Sequence, residues 1–236
     1  MGSAVMDRGL YLAASGMLAE QVRQDQIAND LANASTSGYK AERTTQQSFG
    51  QMLLTNSVTG QQIGNVTTGV GVTNTVADWT PQPLKDTGEP LDFGINGDGF
   101  FAVQTAQGTR YTRNGEFSAD ANGQLTTMQG DPVLGRDNRP IKIGADGAVD
   151  PRLLNVVLLT NPEKEGNNYI TGTPGTVAGQ TAGQVKAQAL EASGSDPTQS
   201  MVDMMESLRA YEAGQKVIQT IDETLGKAAS NVGSLN

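Results

Sequence analysis

Between Asp7 and Ala34 the apolar positions Leu10, Ala14, Met17, Leu18, Val22, Ile27, Ala28 and Leu31 recur largely in steps of three or four. The segment holds no proline and is dense in Ala, Leu, Met and Gln, so the spacing predicts a helix of ~40 Å at 1.5 Å per residue. Ser35, Thr36, Ser37 and Gly38 supply the polar residues and the glycine that stop one. A second helix is predicted from Pro197 to Val232. Asp196 can cap it, Pro197 suits its first turn, and Gln199 sits where a capping box places an amide. With Met201 as an a position, the a/d series runs Met201, Met204, Leu208, Tyr211, Gln215, Ile218, Asp222, Leu225, Ala229 and Val232, apolar except at Gln215 and Asp222. Neither helix has a long helical neighbour in sequence, and an isolated helix with an apolar seam is marginal in water, so the two ends are expected to pack on each other.

Between the helices the period shortens to two. Gly99–Gln104, Thr109–Thr112, Glu116–Ser118, Gln124–Thr127, Ile141–Ile143 and Val156–Leu159 read as short strands. Ala106–Gly108, Arg113–Gly115, Asp120–Gly123, Gln129–Asp131 and Ala145–Gly147 supply the turn residues that bound them. Thr44–Thr80, rich in Thr, Gln, Asn and Gly, reads as an extended arm or a paired ribbon. The pattern predicts an α+β fold, with long N- and C-terminal helices packed as a coiled coil and an all-β domain inserted between them. Its divisions are residues 1–43 for the first helix and its exit, 44–83 for the arm or linker, 84–190 for the β domain and 191–236 for the last helix.

Composition narrows the chemistry. The 236 residues contain no Cys and no His, which removes disulfides, thiol nucleophiles, imidazole bases and the commonest zinc ligands. No apolar run approaches the ~20 residues of a spanning helix, and mean hydropathy is −0.37. A net charge of −9, with 16 Lys and Arg scattered along the chain, argues against a nucleic-acid partner. The 29 glycines against 5% aromatics fit a turn-rich β region with a core of aliphatics. The first residues, Met1–Met6, lack a basic stretch followed by an apolar run, so a secretory signal peptide is not expected.

Candidate motifs weigh toward structure. Gly97-Asp-Gly99-Phe-Phe-Ala102 has the letters of a dinucleotide fingerprint, but a strand-like run follows where a helix is required, so the tight-turn reading is preferred and no cofactor is expected. Asp120–Gly123 and Asn96–Asp98 resemble fragments of a calcium loop without its remaining ligands, so no metal is expected. Asp92, Asp98, Glu116 and Asp120 share the β domain, and a pair of them could serve an extracellular carbohydrate-active enzyme; no catalytic residue is assigned, because no aromatic platform for a sugar accompanies them. Met201, Met204 and Met205 fit a helical seam, and Ala13, Ala14, Gly16, Gly214 and Gly226 permit close helix approach.

The segment Ala28–Lys40, reading A-N-D-L-A-N-A-S-T-S-G-Y-K, closely resembles the signature of bacterial flagellar rod and hook proteins, A-N-N-L-A-N-x-x-T-x-G-F/Y-K, with Asp30 where Asn is usual. Leu91–Phe101 followed by Tyr111–Phe117, and Met201–Ala213 with Lys216–Ile218, resemble further family segments in the same order. Met6–Tyr11 resembles a family start, which makes Met1–Val5 an extension, an alternative start or a cloning remnant. The resemblance implies a non-enzymatic axial subunit of the flagellar basal-body rod, exported through the flagellar type III apparatus and self-assembling helically. In it the terminal helices line the inner tube and the β domain faces outward. Its implied partners are further copies of itself, other rod and hook subunits, the export apparatus and the basal-body rings; one β domain in this length resembles the rod subunits nearest the hook, with a hook subunit as the alternative within the family. The expected assembly interface comprises Leu10, Met17, Ile27, Leu31, Asn33, Thr36, Gly38 and Tyr39 from the N-terminal side, and Met201, Met204, Leu208, Tyr211, Ile218 and Leu225 from the C-terminal side.

Overall fold

The computed structural model describes residues 2–55, 62–144, 147–166, 168–175 and 182–233. It is a mixed α+β chain of two long helices and thirteen strands among the described residues. Helix α1 (Gly2–Ala32) begins ahead of the expected Asp7, because Gly2–Met6 contains no proline or turn signal to hold it back. Helix α2 spans Pro197–Gly233. The stretch read as arm or ribbon forms β1 (Glu42–Thr55) and β2 (Gln62–Ala77), paired as a two-stranded sheet.

Two compact units result, each assembled from separate stretches of chain. The first draws on α1 as far as Leu31, on Glu42–Val76 and on α2; the second comprises Ala32–Ala41 and Ala77–Asp196. The stretches of the two units alternate along the sequence, with the helix exit, Ala32–Ala41, grouped with the β residues.

In the second unit β3 (Leu84–Asp86), β4 (Phe93–Asn96), β5 (Phe100–Thr105), β6 (Gly108–Thr112), β7 (Phe117–Ala119), β8 (Leu125–Thr127), β9 (Val156–Val157), β10 (Leu159–Glu165), β11 (Tyr169–Pro174), β12 (Gln184–Ala187) and β13 (Ala189–Glu191) follow one another. The main sheet has five strands in the order β10-β11-β6-β5-β9, with β12-β4, β13-β3 and β7-β8 as separate pairs. β5 explains the core. Its alternate side chains go to opposite faces: Phe101 and Val103 join Phe93, Ile95, Phe117, Leu125, Val133 and Leu154, while Phe100 and Ala102 join Tyr111, Leu134, Leu159 and Ile170. Phe101 and Phe117 meet edge to face at 5.3 Å, and Trp79 meets Phe100 likewise at 5.7 Å, both geometries that favour the aromatic quadrupole.

The expected turns carry these strands. Thr105 pairs with Gly108 across the Ala106–Gln107 turn, and Gly97 and Gly99 both have positive φ immediately before β5, the context of a turn rather than a phosphate loop. Ile141–Ile143 departs from expectation. Ile141 is buried, but Pro140 has no N–H to extend a ladder, and the segment makes isolated bridges instead of a strand.

In the first unit, the contacts of α1 with α2 descend along one helix as they ascend the other, so the pair is antiparallel. A Cβ placed on Gly9 would lie 3.3 Å from Ile221 Cδ1, and one on Gly214 would lie 2.7 Å from Met17 Cγ. Ser207 Oγ donates to the Glu20 carboxylate at 2.6 Å, and Arg23 lies 3.8 Å from Glu206. The face of α2 turned inward is Met204, Ser207, Tyr211, Gly214, Ile218 and Ile221, again in steps of three and four. Of the expected a/d seam, the d positions Met204, Tyr211 and Ile218 are half-buried, whereas the d position Leu225 and the a positions Met201, Leu208, Gln215 and Asp222 are exposed. Small side chains explain the shift by one residue. Ser207 and Gly214 let the backbones approach closely, and the larger Met201 and Leu208 are turned away.

Candidate assembly surface

The fourteen residues expected at an interface fall into three environments. Leu10, Met201, Leu208 and Leu225 are exposed; Met17, Leu31, Asn33, Thr36, Met204, Tyr211 and Ile218 are half-buried; Ile27, Gly38 and Tyr39 are buried within the chain. The exposed members have neighbours that the sequence pattern did not single out. On α1, Tyr11, Leu18 and Val22 are exposed at steps of seven and four, with Leu18 64% accessible. On α2, Met201, Met205 and Leu208 recur at steps of four and three, beside Val202. Residues at such steps share a helix face, so each helix presents an uncovered apolar stripe in addition to the one it buries.

The helix exit is a different arrangement. Thr36 N donates to Asn33 O at 3.0 Å and Thr36 Oγ1 to Asn33 Oδ1 at 3.2 Å, while Ser193 Oγ donates to the same Asn33 carbonyl at 2.9 Å. Gly38 N donates to Glu191 O and Gly194 N to Tyr39 O, so residues 38–39 are laced to the end of β13. The Lys164 ammonium stands 4.3 Å from the centre of the Tyr39 ring, a cation–π contact, and donates to Lys40 O at 2.9 Å.

Below this lacing lies a charged cluster that the sequence did not reveal. Lys40 Nζ donates to Glu191 Oε1 at 2.8 Å and to Thr80 O at 2.7 Å; Arg113 donates to Glu191 Oε2 at 2.9 Å and to Gly97 O at 2.7 Å. All three side chains are 2% exposed or less. Burial pushes the Lys40 ammonium and the Arg113 guanidinium below their ordinary values, and the Glu191 carboxylate between them opposes that shift. Lys40 and Arg113 each sit in a segment that the sequence marked as a motif, but nothing in the pattern joined them to Glu191, which is 78 residues or more from either. The cluster ties the helix exit, the end of β6 and the end of β13 into one body.

Asp120, one of the four acidic residues considered for glycan chemistry, uses its carboxylate to hold backbone. Asp92 and Glu116 face each other across a β bridge. Asp120 accepts from Asn122 N and Gln124 N in its turn, and those hydrogen bonds, that from Gln124 N foremost, hold its carboxyl below the usual range.

The helix exit, the β core and α2 thus present the three resembling segments as parts of one architecture, and each finds its match in known proteins. Residues 10–40 match the flagella basal body rod protein family, 94–154 the flagellar hook protein FlgE/F/G D1 domain, and 186–231 the flagellar basal body rod FlgEFG protein C-terminal region. The chain belongs to the flagellar hook and basal-body rod family. It is 32% identical to the flagellar hook-basal body complex protein FlhO of Bacillus subtilis, over 98% of this chain and all of that one. It is also 32% identical to the flagellar basal-body rod protein FlgF of Caulobacter vibrioides, with the same coverage, and 31% identical to the rod protein FlgG of Bacillus subtilis over 93% of this chain and 97% of that one. As a member of this family it is a structural rod subunit of the flagellar basal body and not an enzyme; the carbohydrate-active alternative finds no support in these matches. Among its described residues no helix is long and apolar enough to cross a membrane.

Proposed function

We propose that this rod subunit polymerises through its terminal helices into an axial drive shaft, α1 and α2 packing as an antiparallel coiled coil whose outer stripes meet neighbouring copies. The observation that carries this reading is the second apolar stripe on each helix, Leu10, Tyr11, Leu18 and Val22 on α1 and Met201, Met205 and Leu208 on α2, left uncovered after the helices have paired. Buried apolar area contributes ~25 cal/mol per Å2, so neighbours that cover these stripes stabilise the helices as they assemble. A head-to-tail contact whose rotation does not close repeats as a helical filament, the symmetry a shaft needs. Within that filament the β unit faces outward, other rod and hook subunits continue the stack, the basal-body rings contact its outside, and the flagellar type III apparatus delivers the chain.

Leu208→Asp is the test. Because Leu208 is 44% exposed in the single chain, the variant is expected to fold as before, with unchanged circular dichroism, and to lose concentration-dependent assembly in sedimentation and electron microscopy. Burying an unpaired carboxylate at every repeated contact costs several kcal/mol. Filaments of normal length from the variant would overturn the reading. Leu31→Asp, on the half-buried α1 surface, disturbs the chain itself and so separates folding from assembly.

A further inference from the structure

A concavity of about 380 Å3 on the second unit is bordered by Arg136, Arg139, Lys142 and Arg152, with Asp137 and Leu153 among its other walls. These four cations are a quarter of all the Lys and Arg in a chain of net charge −9, and they lie within one stretch of the sequence, residues 136–152. All four are exposed, and among the described residues no carboxylate pairs with any of them. Asp137 Oδ1 accepts from the backbone N of Arg139, so this acid is engaged in holding its own turn. The cations stand on fixed backbone: Asn138, with φ of 58°, closes the turn that Gly135 N makes to Arg139 O, and Arg136 N donates to Leu153 O at 3.1 Å, locking that turn to the single helical turn that carries Arg152.

We propose that this concavity is a binding site for a phosphate group. Its volume falls within the range of small-ligand clefts. Three arginines and one lysine among the lining residues, against one aspartate, give the lining an excess of three positive charges. A carboxylate with two oxygens and one charge satisfies little of that, whereas a phosphate brings nearly two charges and three acceptor oxygens. Four cations around one hollow, in place of a basic track, are also too few to follow a nucleic-acid backbone. The proposal does not depend on polymerisation, since the whole site lies within one chain.

The experiment is calorimetric titration of the dilute full chain with sodium phosphate, ionic strength held constant with sodium chloride. The expected result is saturable binding of one phosphate per chain, weakened at least tenfold in Arg136→Gln/Arg152→Gln and unchanged in Lys85→Gln/Lys186→Gln. The second pair removes the same charge from exposed positions elsewhere on the unit, and circular dichroism verifies folding of both. Absence of saturable heat, or equal loss in both double variants, overturns the proposal. Sedimentation with phosphatidylcholine vesicles containing phosphatidic acid distinguishes the source: retention lost in Arg136→Gln/Arg152→Gln assigns the site to a lipid phosphate, and phosphate binding without retention assigns it to a soluble one. Self-association that the same variant abolishes, with no phosphate bound, would replace the proposal by a contact between copies.

Discussion

At Gly38 two independent constraints coincide. Its φ is +65°, which disfavours any side chain, and a Cβ there would lie 2.3 Å from the carbonyl oxygen of Arg113. Gly38→Ala is therefore expected to destabilise the β unit by at least about 2–3 kcal/mol, read by urea unfolding followed through Trp79 fluorescence. Glu191→Ala leaves two buried cations without their carboxylate and is expected to cost about 3–5 kcal/mol in the same assay. Tyr169 gives a pH signature. Burial foremost, aided by its hydrogen bond to Asp131 Oδ2, pushes its phenol up to about 12 from the ordinary 10.0. Between those values the native chain keeps a proton that the unfolded chain has released, so the contribution is complete below pH 10 and is lost as pH rises toward 12. Ultraviolet titration is expected to lose its latest-ionising tyrosine in Tyr169→Phe, while Tyr111, whose phenol burial also pushes up, still ionises late. Of these residues the signature exposed Gly38 in the sequence; Glu191 was invisible, because a buried carboxylate is recognised only by the cations that converge on it from distant segments.

Among the elements, the helices were legible and their pairing only half so. The 3.6 period located α1 and α2, and the d residues Met204, Tyr211 and Ile218 are half-buried while the d residue Leu225 is exposed. The complementary row was missed by one position, because a count of apolar residues favours Met201 and Leu208 over Ser207 and Gly214, while close packing rewards the small ones. Two glycines on α2 separate these effects. At Gly214 a Cβ meets Met17 at 2.7 Å, so Gly214→Val is expected to loosen the helix pair and speed amide exchange in both helices. At Gly226 nothing lies within 4 Å, so Gly226→Ala is expected to stabilise α2 by roughly 1 kcal/mol through helix propensity alone. In the β region, β5 to β8 followed the alternation and turn residues of the sequence, whereas β11 to β13 lay in stretches whose polar composition and positive-φ residues Asn168 and Gln188 hid their pairing.

For the whole molecule, the two units differ in how they are held. Among the described residues, both buried apolar clusters belong to the second, whereas the helices keep ten large apolar side chains exposed between them. Hydrogen exchange in dilute solution is expected to be slow across residues 93–191 and fast in α1 and α2, with the helices slowing as concentration rises. Equal protection throughout a dilute chain would show that the helices need no neighbour. The antiparallel pairing also carries a consequence for the chain during its synthesis. Met17 leaves the ribosome roughly 200 residues before the Gly214 that receives it, an interval on the order of 10–40 s at ordinary elongation rates. Throughout that interval α1 has neither its intramolecular partner nor a finished copy to lean on, so the nascent N-terminus is the stretch most open to capture by a chaperone or to attack by a protease.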